Sequence, residues 1–549
     1  MNSRQAKNEE REPRTGDLII PPAMQKTERP GKKRAPLGAL KPVRWPGYLA
    51  LIVVTLLVFS PIFLSDLLWP EYETVPRSEF TSMSHWTEAW SLESIRENDP
   101  LTLTSYFAEQ LIPLPTASVH RAMNLFLHLT AALLLLKIVE SLKIPGAFSA
   151  ALVFAIHPAV VPTLFWSGYR EMITATVFAL AALYFCIRNR NSFDFSALLG
   201  LSLISFIIHP GTLTLPLVMA LAIRYEHRYF HLADYNRLLP VACLALFVAV
   251  WLQPGSAVAE LAAENRLLST TSQNLYFFIQ QSLLPTNFAL FHPFSNNQGF
   301  SVGATNEVLP FLFFVPFYVL IFIMFRRLWA RGFFLGLTGF LLLALGGTFR
   351  LGSFIDGTPA REPAALYLAL PFAVAMIVCG IASAFYRMGR SGKSLWKLVF
   401  GLFLILQVSV TASSTLALRQ DSVTWEKMSS KWPGAWEPKL AYLDSIKTEE
   451  GYPLPPDEAI RLLLSTLKLN PDLLDKRHDL LDLYLQEDQT TNALREYQRI
   501  LRESEPSDAF LAEAADFFDI MGLRWEATKA RDRIGTGAPT NEKTEQNSL

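Results

Sequence analysis

Positively charged residues fall at every second gap between the apolar stretches of this chain. The basic gaps hold Lys32, Lys33, Arg34, Lys41 and Arg44; Lys137 and Lys143; Arg188 and Arg190; Arg224 and Arg228; Arg326, Arg327 and Arg331; and Arg387, Arg390, Lys393 and Lys397. The gaps between them carry clustered carboxylates, His-Pro pairs, aromatics and isolated arginines. Membrane insertion keeps Lys and Arg on the cytoplasmic side, so the alternation reads as a topology map. It places nearly every chemically interesting side chain on the outward face.

A spanning helix needs about 20 mainly apolar residues. Segments 47–66, 120–140, 146–165, 170–188, 195–209, 211–226, 237–253, 306–326, 332–349, 364–386 and 395–417 qualify, about eleven in all. The stretch 195–226 reads either as two short spans broken at His209-Pro210 or as one kinked span, because proline removes a helix hydrogen bond. Two spans keep Arg224, Arg228 and the later basic gaps on the cytoplasmic side, so two are expected. An odd total sends everything after residue 417 outward. Only 18% of the 549 residues are charged, against about 25% in a soluble protein, and they concentrate in residues 1–45 and 418–549. The first of these stretches reads as a disordered cytoplasmic tail, too long and Pro-rich for a cleavable leader. A net charge of zero removes any bulk electrostatic case for a nucleic-acid partner. Cys186, Cys243 and Cys379 fall inside apolar segments and read as small hydrophobes.

After a linker at 418–436, residues 437–535 read as helical hairpins, followed by a second disordered tail at 536–549. Asn470-Pro471 and Ser504-Glu505-Pro506 end successive helices. Pro471 and Pro506 are 35 residues apart (506 minus 471), close to the period of about 34 in tetratricopeptide repeats. Such a stack is either a solvated spacer or a docking surface for a protein or peptide.

Four outward elements carry candidate chemistry. The loop 66–119 holds Asp66, Glu71, Glu73 and further acids, then an apolar stretch, Leu101 to Leu114, expected along the membrane interface. Carboxylates there suit general-base work on a hydroxyl, or a divalent cation as candidate cofactor; the alternative is an ordinary acidic loop. His120, Asn124 and His128 recur at i, i+4 and i+8 and so line one helix face, as part of a site or as a buried stripe that joins helices. They are too widely spaced for a tight two-His metal pair, and no metal site is expected. His157-Pro158 leads to Trp166 and Arg170-Glu171, with His209-Pro210 as its counterpart. Arg350 and Arg361 flank the fourth element. Arginines at a membrane boundary suit a lipid-linked phosphate. A further outward loop is expected at 254–305. No P-loop, GxGxxG, GxSxG or HExxH occurs, which argues against an ATP-driven pump and common soluble chemistries. Charges at span ends rather than mid-span argue against an ion-coupled transporter.

Several segments resemble the transmembrane and tetratricopeptide-repeat O-mannosyltransferases and their bacterial relatives, within the glycosyltransferase C superfamily. They are His120-Arg-Ala-Met-Asn124-Leu-Phe-Leu-His128, Ala151 to His157-Pro158, Trp166-Ser-Gly-Tyr-Arg170-Glu, Leu275-Tyr276 through Leu284-Pro285, Arg361-Glu-Pro-Ala-Ala-Leu-Tyr367 and Arg419 to Trp425. The resemblance implies an all-α, polytopic bundle with a C-terminal repeat solenoid. It implies transfer of a sugar from a polyprenyl-phosphate donor to a hydroxyl on a protein or glycan acceptor. It places the protein in a bacterial inner membrane, with the N-terminus cytoplasmic and the repeats outside. Glu71 is then the base, with Glu73 and Asp66 behind it. His120, Asn124, His157, Trp166, Arg170, His209, Arg350, Arg361 and Tyr367 surround the substrate. Relatives carry an aspartate pair where this chain reads Leu68-Trp69-Pro70-Glu71-Tyr72-Glu73. The extra methylene of Glu moves the carboxylate by about 1 Å, enough to cost about 10²-fold in rate if uncompensated. A catalytically degenerate scaffold whose repeats recruit partners is therefore the second reading.

Overall fold

The computed structural model describes residues 42–64, 100–113, 116–188, 191–227, 230–252, 267–283, 328–347, 365–418, 420–448, 451–504 and 506–534, with isolated positions between them. Asp66, Glu71, Glu73 and Arg350 lie outside the described residues. So do the tails 1–41 and 535–549, most of both long outward loops and nearly all of segment 306–326.

The described chain is almost wholly helical. Before residue 418 the helices are α1 (Trp45–Phe59), α2 (Pro100–Gln110), α3 (Thr116–Ser141), α4 (Ala147–Ala155), α5 (Val161–Phe165), α6 (Arg170–Arg188), α7 (Ser192–Ile208), α8 (Leu215–Glu226), α9 (Leu232–Leu252), α10 (Leu267–Leu283), α11 (Leu328–Gly347), α12 (Ala365–Arg387) and α13 (Gly389–Ala417). Among the described residues, six helices are long and apolar enough to cross a membrane, or seven if the bent pair α4 and α5 counts as one. The only described strands pair His292–Pro293 antiparallel with Ala360–Arg361, which sets Arg361 opposite His292.

Side-chain contacts fix the direction of most of these helices. Val43 N and Tyr48 OH both donate to Glu140, at 2.7 and 2.9 Å, so α1 starts where α3 ends. Gly146, with φ +91°, opens α4; a Cβ there would lie 2.8 Å from that of Ala382 near the end of α12. Arg188 pairs with Asp194 at 3.4 Å and Arg237 reaches the Cys186 carbonyl at 3.5 Å. Arg331 donates to the Tyr225 carbonyl at 3.4 Å, while Thr214 Oγ1 reaches Leu342 O at 3.5 Å. Thus α8 and α11 are antiparallel, and the chain reverses at His209-Pro210 between α7 and α8. Lys137, Lys143, Arg188, Arg224, Arg331 and Arg387 therefore gather at one end of the bundle. The turns around His120, Trp166, Arg170 and His209 gather at the other. Over 195–226 the chain forms two helices, of 17 and 12 residues, that run in opposite directions, and neither is among the six long enough to cross a membrane.

Apolar helices have little hydrophobic drive to associate within lipid, so close backbone approach matters more. Between α11 and α12 it is made by glycines. A Cβ on Gly336, Gly339 or Gly380 would stand 2.6, 2.6 or 2.8 Å from Met376, Phe372 or Phe333. Larger side chains there would push the two helices apart.

The break between α4 and α5 is set by Pro158, which has no N–H to offer Phe154. Around it, His157 N bonds to Phe154 O, Ala159 N to the His157 ring, and Val160 N to His157 O. The carbonyls of Val153, Ala155 and Ile156 thereby lose their helical donors. Each gains one from another helix: Gln407 Nε2 to Val153 at 2.9 Å, His128 Nε2 to Ala155 at 2.9 Å and Thr411 Oγ1 to Ile156 at 2.7 Å. A buried carbonyl in this setting has no water to turn to, so these three side chains make the break tolerable.

Beyond α13 come α14 (Asp421–Lys431), α15 (Glu437–Ile446), α16 (Pro456–Leu469), α17 (Leu474–Gln486), α18 (Thr490–Glu503), α19 (Asp508–Ile520) and α20 (Arg524–Arg531). Helices α16 and α18 are both 14 residues long and start 34 residues apart (490 minus 456). Helices α17 and α19 are both 13 long and also start 34 apart (508 minus 474). Their closing turns match as well: Asp488 at φ 52° and Gly522 at φ 75° hold equivalent left-handed positions. Ala459, Leu463, Leu480, Tyr484, Ala493, Tyr497, Phe510, Ala514 and Phe518 form a core of their own. On its flank, Asp479 accepts from Lys447 and Tyr452 at 2.6 Å each and from Lys476 at 3.2 Å, and Lys476 also pairs with Asp444. Burial works against the charge on Asp479, but the Lys447 and Tyr452 hydrogen bonds and the Lys476 ammonium outweigh it and hold its carboxyl below the ordinary range.

Candidate functional site

The stripe predicted on α3 is fully buried, and every member of it is engaged. His128 Nδ1 contacts Tyr367 OH at 2.6 Å while its Nε2 caps Ala155 O. Since that carbonyl only accepts, Nε2 carries the proton and Tyr367 donates to Nδ1. Asn124 Nδ2 donates to Leu164 O at 3.2 Å, and its Oδ1 accepts from Arg170 Nε at 2.8 Å.

Arg170 opens α6 and is 1% exposed. Its Nη2 donates to the His120 carbonyl at 3.2 Å. Its Nη1 donates to Ser105 Oγ at 2.9 Å and to Glu109 Oε1. The Tyr106 ring lies 4.4 Å from its guanidinium carbon. The other oxygen of Glu109 meets His120 Nδ1, so one carboxylate, Oε1 to the arginine and Oε2 to the imidazole, bridges both. A carboxylate flanked by a guanidinium accepts, which puts the proton of His120 on Nδ1 and leaves Nε2 buried with no hydrogen-bond partner among the described residues. Buried charges persist only when paired and hydrogen-bonded in this way.

Glu109 is the residue that sequence reasoning missed. It sits in the apolar stretch Leu101 to Leu114, in a helix that packs on α3 and α6. A lone carboxylate on a short apolar helix, 11 residues before His120, was its only signal.

The two His-Pro pairs prove equivalent in local geometry. His157 Nδ1 accepts from Ala159 N at 3.2 Å and His209 Nδ1 from Gly211 N at 3.0 Å. Each imidazole caps a 3-10 turn whose first residue is proline. Trp166 is buried one turn before Arg170 and meets the buried Trp425 edge-on, with centroids 6.3 Å apart. The structure thus brings His120, Asn124 and Arg170 together with Glu109. It places Tyr367 beside His128, Trp166 against α14, and His209 at the separate turn between α7 and α8. Among the described residues, no group of three His, Cys, Asp or Glu is arranged to hold a metal ion.

Fold and site together describe a helical protein with several helices of membrane-spanning character and a buried Glu-Arg-His network at one end. No family model matches the chain, and no curated protein matches it.

Proposed function

We propose that the chain is an integral-membrane glycosyltransferase that moves a sugar from a polyprenyl-phosphate donor to a hydroxyl of a protein or glycan acceptor. The observation that carries this reading is the meeting of His120, Asn124 and Arg170 in one network at the end of the bundle opposite the basic clusters. That end takes the outward side of a bacterial inner membrane, with the N-terminus cytoplasmic. Ser282 bonds to His157 at the outward end, whereas Leu328 opens α11 at the basic end. The proposed topology keeps the count of about eleven spans suggested by the apolar segments of the sequence.

In the reaction, the acceptor oxygen bonds to the anomeric carbon as the bond from that carbon to the phosphate oxygen breaks. Glu71, in the acidic loop with Glu73 and Asp66, takes the hydroxyl proton. Arg170, with Arg350 and Arg361, stabilises the departing phosphate. The 34-residue helix pairs act as tetratricopeptide-type repeats that recruit the acceptor.

The saturation of Arg170 by internal partners favours the second reading, a scaffold without turnover. Protein in lipid nanodiscs, supplied with a panel of polyprenyl-phosphate sugars and hydroxyl peptides, separates the two. Release of polyprenyl phosphate, lost in Glu71→Gln, supports the transferase. Donor binding without release in the wild type supports the scaffold.

A further inference from the structure

We propose that the edge formed by Ile520, Met521, Trp525 and Lys529 rests in the lipid interface of the membrane that the chain's own apolar helices enter. The repeat helices compare position by position, because α19 follows α17 and α20 follows α18 at an offset of 34 residues (508 minus 474; 524 minus 490). Moving back 34 positions from Ile520, Met521 and Trp525 gives Gln486, Glu487 and Thr491, all polar and exposed. The same three places are solvated in one pair and apolar in the next. In the later pair they stay uncovered: Ile520 is 84% exposed, Trp525 70% and Met521 38%. Apolar groups exposed where a sister repeat keeps polar ones mark an interaction surface.

This edge is not the seat of a further repeat. In the earlier pair, stacking onto the next helix is made by Tyr497, whose ring packs on Phe510 and Phe517 at 5.5 and 4.8 Å. The equivalent residue of α20 is Arg531, which pairs with Asp516 and Asp519 of α19 at 3.2 and 2.5 Å. The stacking face is therefore closed with charge, as a terminal repeat requires, and offers no aromatic seat to a second copy placed end to end.

The chemistry of the edge selects lipid. An indole is amphipathic and settles at headgroup level. Lys529 Nζ lies 5.2 Å from the centroid of the Trp525 ring, and its long stem lets the ammonium stay in the wet layer while the ring enters the apolar one. Helix α20 carries Arg524, Lys529 and Arg531 against one carboxylate, Glu526, a balance that complements anionic headgroups. The bilayer is also close at hand. Helix α13, apolar and 29 residues long, ends at Ala417, and α14 begins at Asp421. Such a tether raises the effective concentration of lipid at the edge, so a contact too weak for a free protein is populated here.

The test uses the full chain in nanodiscs that carry a phospholipid with a photoreactive acyl chain, made of phosphatidylcholine alone or with phosphatidylglycerol added. Mass spectrometry maps the cross-linked peptides. In the wild type, labelling is expected across Ile520–Arg531 as well as in α13, and more strongly there with phosphatidylglycerol. Ile520→Ser combined with Trp525→Ser is expected to lower labelling of this segment about tenfold relative to α13. Both side chains are exposed, so the fold is not at stake, and unchanged hydrogen exchange in α17 checks it. Lys529→Glu is expected to remove the phosphatidylglycerol preference alone. Labelling confined to the helices before residue 418 overturns the proposal. So does protection of Ile520–Arg531 from hydrogen exchange without lipid labelling, which assigns the edge to a protein partner or a second copy. None of these outcomes depends on sugar transfer, so loss of the transferase reading leaves the lipid contact standing.

Discussion

Arg170 Nε and Asn124 Oδ1 lie 2.8 Å apart, and this bond sets the angle of a buried guanidinium. The Asn124 amide spends its other end on Leu164 O. Asn124→Leu therefore orphans a charged donor and a carbonyl together. Leaving such groups unpaired costs about 2–4 kcal/mol. A thermal-shift assay in detergent should show a marked loss, and Asn124→Asp, which keeps the acceptor, should lose less. An unchanged melting temperature in Asn124→Leu would remove the network from the list of stabilising features.

Thr411 is the donor to the orphaned Ile156 carbonyl, at 2.7 Å. Thr411→Val keeps the shape and removes the hydroxyl, at an expected cost of about 1–3 kcal/mol. Thr411→Ser should restore most of it. Equal stability of the Val and Ser variants would mean that the carbonyl finds another donor.

Gly339 faces the Phe372 ring across the α11 and α12 contact. Gly339→Val forces the helices apart or the ring out of its rotamer, an overpacking cost of about 1–3 kcal/mol. Phe372→Ala in the same chain should recover part of it, which a double-mutant cycle measures.

In the repeats, the Asp479 carboxyl is held low by Lys447, Tyr452 and Lys476 against the cost of burial. A group whose folded value is depressed contributes stability above its unfolded value, about pH 4, and loses it as pH falls through the folded value. Asp444 is shifted up by burial and opposes this, so the acid limb should be shallow. Lys476 is held above its ordinary value, chiefly because Asp444 and Asp479 overcome its burial. Its contribution is complete below about pH 10 and is lost above. Asp479→Asn should flatten the acid limb of an exchange-monitored titration of Leu474–Gln486; a limb of unchanged slope would point to other carboxylates.

Asp488 holds a left-handed turn position that Gly522 fills in the next helix pair. Asp488→Gly should raise stability by about 1 kcal/mol through relief of the Cβ contact. Gly522→Ala should lower it by a similar amount, about 1 kcal/mol. Reversal of either sign in chemical denaturation would contradict the equivalence of the two turns.

What the sequence disclosed was periodic or local. Apolar runs marked the helices, alternating Lys and Arg sorted their ends, and proline spacing announced the 34-residue period. The His209-Pro210 break was legible because proline acts on its own neighbourhood. The closed site was not, because its bonds join distant residues. Glu109 and Arg170 are 61 residues apart, and His128 and Tyr367 are 239 apart. No period links such pairs. The imidazoles of His157 and His209 carried the opposite lesson, since their Nδ1 atoms are spent on turns two residues away.

The edge-on meeting of Trp166 and Trp425 has a mechanical consequence. With Met428 of α14 and Ala441 of α15, Trp425 ties these helices into the same buried core as Trp166, one turn before Arg170. A displacement of the turn that carries Arg170 therefore reaches α14 first, through packed indoles rather than through the intervening stretch of about 250 residues (421 minus 170), and aromatic fit decides how closely the later helices track the bundle.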